Sequence, residues 1–193
     1  SFEHIILVNN AANCLKHSSP RVLRESLDVN AIFPSKLARS VLLHADCNPS
    51  TSVTVVNISS QDGELCWLHS ELARELRNIE SHEKWEQFIR TEREEWRGDN
   101  FEYAFGETPL YSFSKAAFTA ATRILSKDVM AARGLHKGKR NIIAICPGNF
   151  LSSMTTLDEL GSVLSPLKAG EHVLRVALDT TNTFNGQFCR VLQ

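Results

Sequence analysis

Four apolar runs of strand length, at residues 5–8, 53–58, 141–146 and 186–192, are separated from one another by segments much longer than a hairpin turn. Each intervening segment has helical character. Antiparallel neighbours can be joined by two residues, whereas parallel strands need a crossover of about a dozen or more, usually a helix. The alternation therefore predicts an α/β fold with a doubly wound, Rossmann-like parallel sheet.

Within the first crossover, Val22, Leu23, Leu27, Ala31, Leu37, Ala38, Val41 and Leu42 recur at helical spacing, interrupted by Pro34. A proline inside a helix removes a donor and clashes with the preceding turn, so this helix is expected to kink or divide. After Tyr111, a proline-free stretch rich in Ala, Leu and Lys runs to Gly134 and predicts a helix with a glycine stop. Residues 64–100 carry Leu65, Leu68, Leu72, Leu76 and Ile79 in helical register, continued by Trp85, Phe88, Ile89 and Trp96. Their glutamates and arginines read as a solvated face.

Composition narrows the partners. With 193 residues, one domain is expected, and a formal charge of -1 gives no general attraction for nucleic acid or anionic lipid. No apolar run approaches bilayer length, and the N-terminal residues lack the basic lead and long apolar stretch of a secretory leader. The five cysteines (Cys14, Cys47, Cys66, Cys146, Cys189) include no Cys-x-x-Cys pair and no histidine spaced to complete a zinc site, so no metal is expected. They read as reduced, mostly packed thiols of a cytoplasmic protein, with a reactive thiol at Cys146 beside Pro147 as the alternative.

Tyr111-Ser-Phe-Ser-Lys115 places a phenol and an ammonium four residues apart on one helix face. A neighbouring cation favours the phenolate, which is expected to lower the tyrosine pKa and make it a usable acid near neutrality. The pair stands in a particular order of signatures. Residues 5–8 run into Asn9-Asn10-Ala11-Ala12; a helix carries Asn30; residues 53–56 lead to Asn57-Ile58-Ser59-Ser60; and a strand after the Tyr/Lys helix ends in Cys146-Pro147-Gly148.

This order resembles the short-chain dehydrogenase/reductase family, whose marks are Asn-Asn-Ala-Gly, a helix asparagine, a strand-end serine, Tyr-x-x-x-Lys and Pro-Gly. It is most similar to the carbonyl reductase branch, which inserts a helical segment before the tyrosine, as residues 64–100 do here. The resemblance implies that Tyr111 protonates a carbonyl oxygen as hydride arrives and that Ser60 orients that oxygen. It implies that Lys115 depresses the tyrosine pKa and binds the nicotinamide ribose, and that Asn30 holds a water linking Lys115 to solvent. Asn10, Ala11, Ala12, Pro147, Gly148 and Ser152 fall at cofactor-binding positions, together with Tyr111 and Lys115. NADP(H) is the cofactor the branch implies, with NAD(H) the alternative, and the substrate is a small ketone, aldehyde or quinone. Two departures stand out: Ala12 replaces a glycine, and Leu151-Ser152 replaces an arginine and a threonine. Phe105, Phe113, Phe150 and Met154 are candidate lining residues.

The family's opening glycine-rich strand-turn-helix, which brings bare backbone to the pyrophosphate, has no counterpart in these residues. The chain thus reads as one partial domain, 1–193, with the helical insertion at 64–100 inside it. A sheet that begins here exposes an apolar edge requiring cover. The complete enzyme is expected to be a monomer, because the insertion covers the surface used elsewhere for dimerisation. The alternative is an inactive reductase-fold subunit with a structural role in a larger assembly.

Overall fold

The computed structural model describes residues 3–45, 50–97, 101–131, 138–150, 163–179 and 184–190. Strands β1 (His4–Asn9), β2 (Ser52–Ile58), β3 (Arg140–Cys146) and β4 (Phe188–Arg190) lie side by side in that order, every pairing parallel. β2 and β3 are buried almost throughout, as expected for parallel strands covered on both faces. On one face Val53, Val55 and Ile142 pack against Ala38, Leu42 and Leu125. On the other, Val56, Ile58 and Ile145 meet Val173, Val176 and Ala177 of a helix, Pro166–Ala177, that closes the described chain's helices.

Pro34 divides the first crossover as expected, and the structure shows how. Helix α1 (Pro20–Leu27) opens on Ser19, whose hydroxyl accepts from Val22 N at 3.2 Å, and α2 (Phe33–Ala45) follows. Between them, residues 28–32 form a widened π turn in which Phe33 N–H reaches back to Asp28 O. The extra residue relieves the clash of the proline ring with the preceding turn. The Pro34 carbonyl is taken by Asn9 Nδ2 from the end of β1, at 3.1 Å.

The insertion forms two helices, α3 (Ser70–Asn78) and α4 (His82–Glu94), before the long α5 (Pro109–Ala131). Its apolar stripe is buried as predicted: Leu72, Leu76, Trp85 and Ile89 join Leu23, Leu27, Phe113, Phe118 and Ile124 in one cluster. Polar contacts fix the packing. Trp85 Nε1 donates to Ala117 O in the middle of α5 at 2.9 Å, and Arg123 of α5 caps the end of α3 through Leu76 O (3.1 Å) and Ile79 O (2.9 Å). The expectation of a purely solvated charged face needs correction. Glu92 is buried and held by Arg97, which also pairs with Glu75 at 3.2 Å and Glu71 at 3.5 Å. Burying this carboxylate is tolerable because a forked cation meets it directly. The remaining helix, α6, is Pro166–Ala177.

Cover is uneven across the molecule. Among the described residues β1 pairs with β2 alone, and its Ile6 and Val8, on the α6 side of the sheet, are 39% and 42% exposed. Leu167 and Leu174 of α6 are exposed as well.

His82, at the start of α4, is buried against Trp85 with a ring separation of 5.5 Å; among the described residues neither ring nitrogen makes a hydrogen bond, and the Glu86 carboxylate stands 3.7 Å from Nδ1. Burial holds its pKa below the ordinary histidine value, with Arg39 adding to the effect and Glu86, Glu83 and Asp128 opposing it. The unfolded chain therefore binds more protons as pH falls through about 6.5, so this site destabilises the fold on the acid side. Urea midpoints measured at about pH 7.5 and about pH 5.5 are expected to fall more in the wild type than in His82→Leu.

Candidate active site

The carboxyl ends of β1, β2 and β3 open into a cleft of about 340 Å³, where ligands gather in open α/β sheets. Its walls come from separate parts of the chain: Asn10, Ala12 and Cys14 after β1, Ser59 and Ser60 after β2, Tyr111 and Lys115 from the first turns of α5, and residues 146–150 from the last residue of β3 onward. Gly148, at φ +83°, turns its backbone in a conformation that side chains disfavour. Of the positions predicted for a cofactor, Asn10, Ala12, Tyr111, Lys115, Pro147 and Gly148 line this cleft. Ala11 is exposed beside it, and Ser152, like Met154, lies outside the described residues. Phe150 lines the cleft, whereas Phe113 is core and Phe105 is exposed away from it.

Lys115 is 2% exposed, and its Nζ donates to Ile58 O at the end of β2 at 2.7 Å. The ammonium lies 5.8 Å from the centre of the Tyr111 ring. Burial pushes its pKa down to about 8. Tyr111 is also buried, and burial raises its pKa, opposed by the hydrogen bond of Ser60. The expected depression of the phenol by Lys115 is thus not what dominates here. The cation stands over the ring and is engaged by the Ile58 carbonyl, and desolvation of the phenolate is the largest influence on Tyr111. Ser60 is held by its own turn, its hydroxyl accepting from Asp62 N at 3.2 Å.

Asn30 sits in the π turn, fully buried, with its amide committed. It pairs with the backbone of Asn13 in both senses, Asn13 N to Oδ1 and Nδ2 to Asn13 O, each at 2.8 Å. Its second N–H goes to Ser114 Oγ at 2.9 Å, and that hydroxyl donates to Tyr111 O at 2.7 Å. Both amide N–H groups are used, so the side chain has no donor left for a relay water. What the amide does is clamp the wall of the cleft to the helix that carries Tyr111.

Several supporting residues escaped sequence reasoning. Ser59 shares a 2.7 Å hydrogen bond with Thr119 and donates to Lys115 O at 3.4 Å, one position before the serine singled out. A side chain on Gly63 would stand 2.8 Å from the Lys115 backbone, so the turn after Ser60 rests directly on α5. The signal for Gly63 was a lone glycine shortly after a strand, too common to interpret.

The cleft fits the nicotinamide-ribose end of a dinucleotide: a buried ammonium, a hydroxyl pair and the positive-φ turn at Gly148 lie together at the strand ends. No glycine-rich loop for the pyrophosphate occurs in these residues.

No family model matches the chain, and no curated protein does. Solved structures do match. Salutaridine reductase from Papaver somniferum superposes with a TM-score of 0.71 at 18% identity, covering 95% of this chain and 71% of that one. NADPH-bound carbonyl reductase from chicken fatty liver gives 0.62 at 20%, covering 95% and 62%. A landomycin C-6 ketoreductase with bound NADP gives 0.58 at 17%, covering 96% and 58%. The chain therefore has a short-chain dehydrogenase/reductase-like fold, and spans about 58–71% of the length of these solved chains.

Because Gly63 contacts backbone rather than a flexible side chain, Gly63→Ala must displace the Ser60 turn from α5. Overpacking of this kind costs about 1–3 kcal/mol. Urea unfolding is expected to show a loss of that size, against a smaller change for Gly170→Ala, where an added methyl meets nothing within 4 Å.

Proposed function

We propose that this chain is the catalytic part of a nicotinamide-dependent reductase of small carbonyl compounds, a ketone, aldehyde or quinone. The observation that carries the reading is the convergence of Tyr111, Ser60 and a buried Lys115 on one cleft at the strand ends. The nicotinamide, when bound, supplies hydride to the carbonyl carbon. Tyr111 then delivers its phenolic proton to the carbonyl oxygen, while Ser60 donates a hydrogen bond to the same oxygen and fixes its direction. Both contacts strengthen as negative charge grows on that oxygen, so they favour the transition state over the ground state. Lys115, held over the ring, stabilises the phenolate left behind and binds the ribose hydroxyls. Asn30 keeps residues 10–14 against α5, so that wall and tyrosine stay in register.

NADP(H) is the proposed cofactor by the carbonyl reductase resemblance, with NAD(H) as alternative. In this reading the open edge of β1 and the exposed face of α6 receive the strand-helix portion that binds the pyrophosphate. The insertion buries the outer faces of α1 and α5, so the complete protein is a monomer; a stable homodimer in solution would overturn that.

Cofactor oxidation by the complete polypeptide, against a panel of aldehydes, ketones and quinones, tests the reading. Tyr111→Phe is expected to lower turnover about 10²- to 10⁴-fold, the range for losing a general acid. Activity is expected to decline as pH rises through about 8, where Lys115 gives up its proton. Unchanged turnover in Tyr111→Phe would sink the assignment.

A further inference from the structure

His82 is a titratable ring that the proposed reaction does not use, placed where α4 begins. It follows the cap residue Ser81 and is 2% exposed, and among the described residues neither of its nitrogens has a hydrogen-bond partner. A neutral imidazole has one donor and one acceptor; protonation makes both nitrogens donors and adds a charge to be desolvated. The helix position is unfavourable too, since the N-terminal end of a helix already carries the positive end of its dipole. The surroundings give this cation little. Burial acts most strongly against the charged form and Arg39 of α2 acts the same way, while Glu86 and Glu83 of α4 and Asp128 of α5 act for it. Glu86 approaches Nδ1 alone, at 3.7 Å, which leaves Nε2 without an acceptor among the described residues. Glu83 also faces Arg39, 3.7 Å away. The segment is pinned on both sides. Arg123 holds Leu76 O and Ile79 O at the end of α3, and Arg93 grips Asp28 through bonds of 2.8 and 3.0 Å near the end of α4.

We propose that the first turn of α4 is an acid-released latch: when His82 takes up a proton, residues 80–86 swing away from α2 and α5, while the clamps at Arg123 and Arg93 keep the rest of the insertion in place. Release carries the imidazolium into water. It also parts Trp85 Nε1 from Ala117 O, two residues past Lys115 on the helix that bears the site. The acid-side loss of stability thus begins as a local opening, ahead of any unfolding of the sheet. The latch needs neither cofactor nor turnover and is independent of the reductase reading.

The test is amide hydrogen exchange and histidine titration of the intact chain by NMR, with exchange corrected for its intrinsic pH dependence. The reporters are the amides of Lys84 and Trp85, which donate to Ser81 across the turn in question. Opening coupled to one proton, with an ordinary histidine value of about 6.5 in the open state, is expected to raise their exchange roughly tenfold between about pH 7.5 and about pH 5.5. Amides of β2 and β3 are expected to hold their protection over the same range, and the His82 ring to titrate with the same midpoint as the opening. His82→Phe, which keeps a ring against Trp85 and removes the proton, is expected to make the exchange of Lys84 and Trp85 independent of pH. Three results overturn the proposal: exchange at these amides that stays flat while the His82 ring titrates, a rise shared equally by β2 and β3, or a rise that persists in His82→Phe. The wild-type comparison of local and sheet amides with the His82 titration decides the matter even where His82→Phe fails to fold.

Discussion

Placing an ammonium inside a protein costs several kcal/mol unless hydrogen bonds and nearby charge offset it. Lys115 meets that demand by donating to the carbonyl of Ile58, the last residue of β2, and this contact sets where α5 must run. With the helix fixed there, Tyr111 is delivered one turn earlier to the same cleft. The turn after Ser60 then has to lie flat on the helix, which only a residue without a side chain at position 63 allows. A second polar chain ties the other strand ends to the same helix: Asn9 Nδ2 donates to Asn57 Oδ1, and Asn57 Nδ2 to Thr122 Oγ1, each at 2.8 Å. The site is thus built as one unit with the carboxyl edge of the sheet.

The sheet was legible from the sequence because its strands are short apolar runs too far apart for hairpins, and each appears within a residue or two of its expected place at β1, β2 and β3. Tyr111, Lys115 and Ser60 were legible through order along the chain, and the structure brings them to one cleft. The occupation of the Asn30 amide was not, because a hydrogen bond to the backbone of Asn13 leaves no mark on residue identity. Nor was the burial of Glu92, since a carboxylate on a charge-rich helix looks solvated until the arginine five residues later folds back over it. The tyrosine pKa shows the same limit: sequence adjacency supplied the cation, but only packing shows how far the phenol is desolvated.

Burial also divides the molecule into a finished side and an unfinished one. The face bearing α5 and the insertion is sealed by aromatic packing, including Tyr103 with Phe101, Phe113 and Trp96. Among the described residues the face bearing α6 is covered by that helix alone, and Ile6, Val8, Leu167 and Leu174 are exposed. An apolar patch of this kind, next to a strand whose outer edge has no partner among the described residues, is unusual for a surface that stays bare.

The widened turn at Pro34 does more than spare a clash. Each residue in a helix rotates the following side chains by about 100°, so one added residue re-aims everything downstream. Before the turn, Leu23 and Leu27 face the insertion; after it, Ala38 and Leu42 face the sheet. The turn works as a phase shifter between two hydrophobic cores, letting one nearly continuous helix serve both. Its length therefore matters alongside the Asn30 contacts it carries. Deleting a single residue from this stretch would leave Ala38 and Leu42 chemically unchanged while sending them around toward solvent.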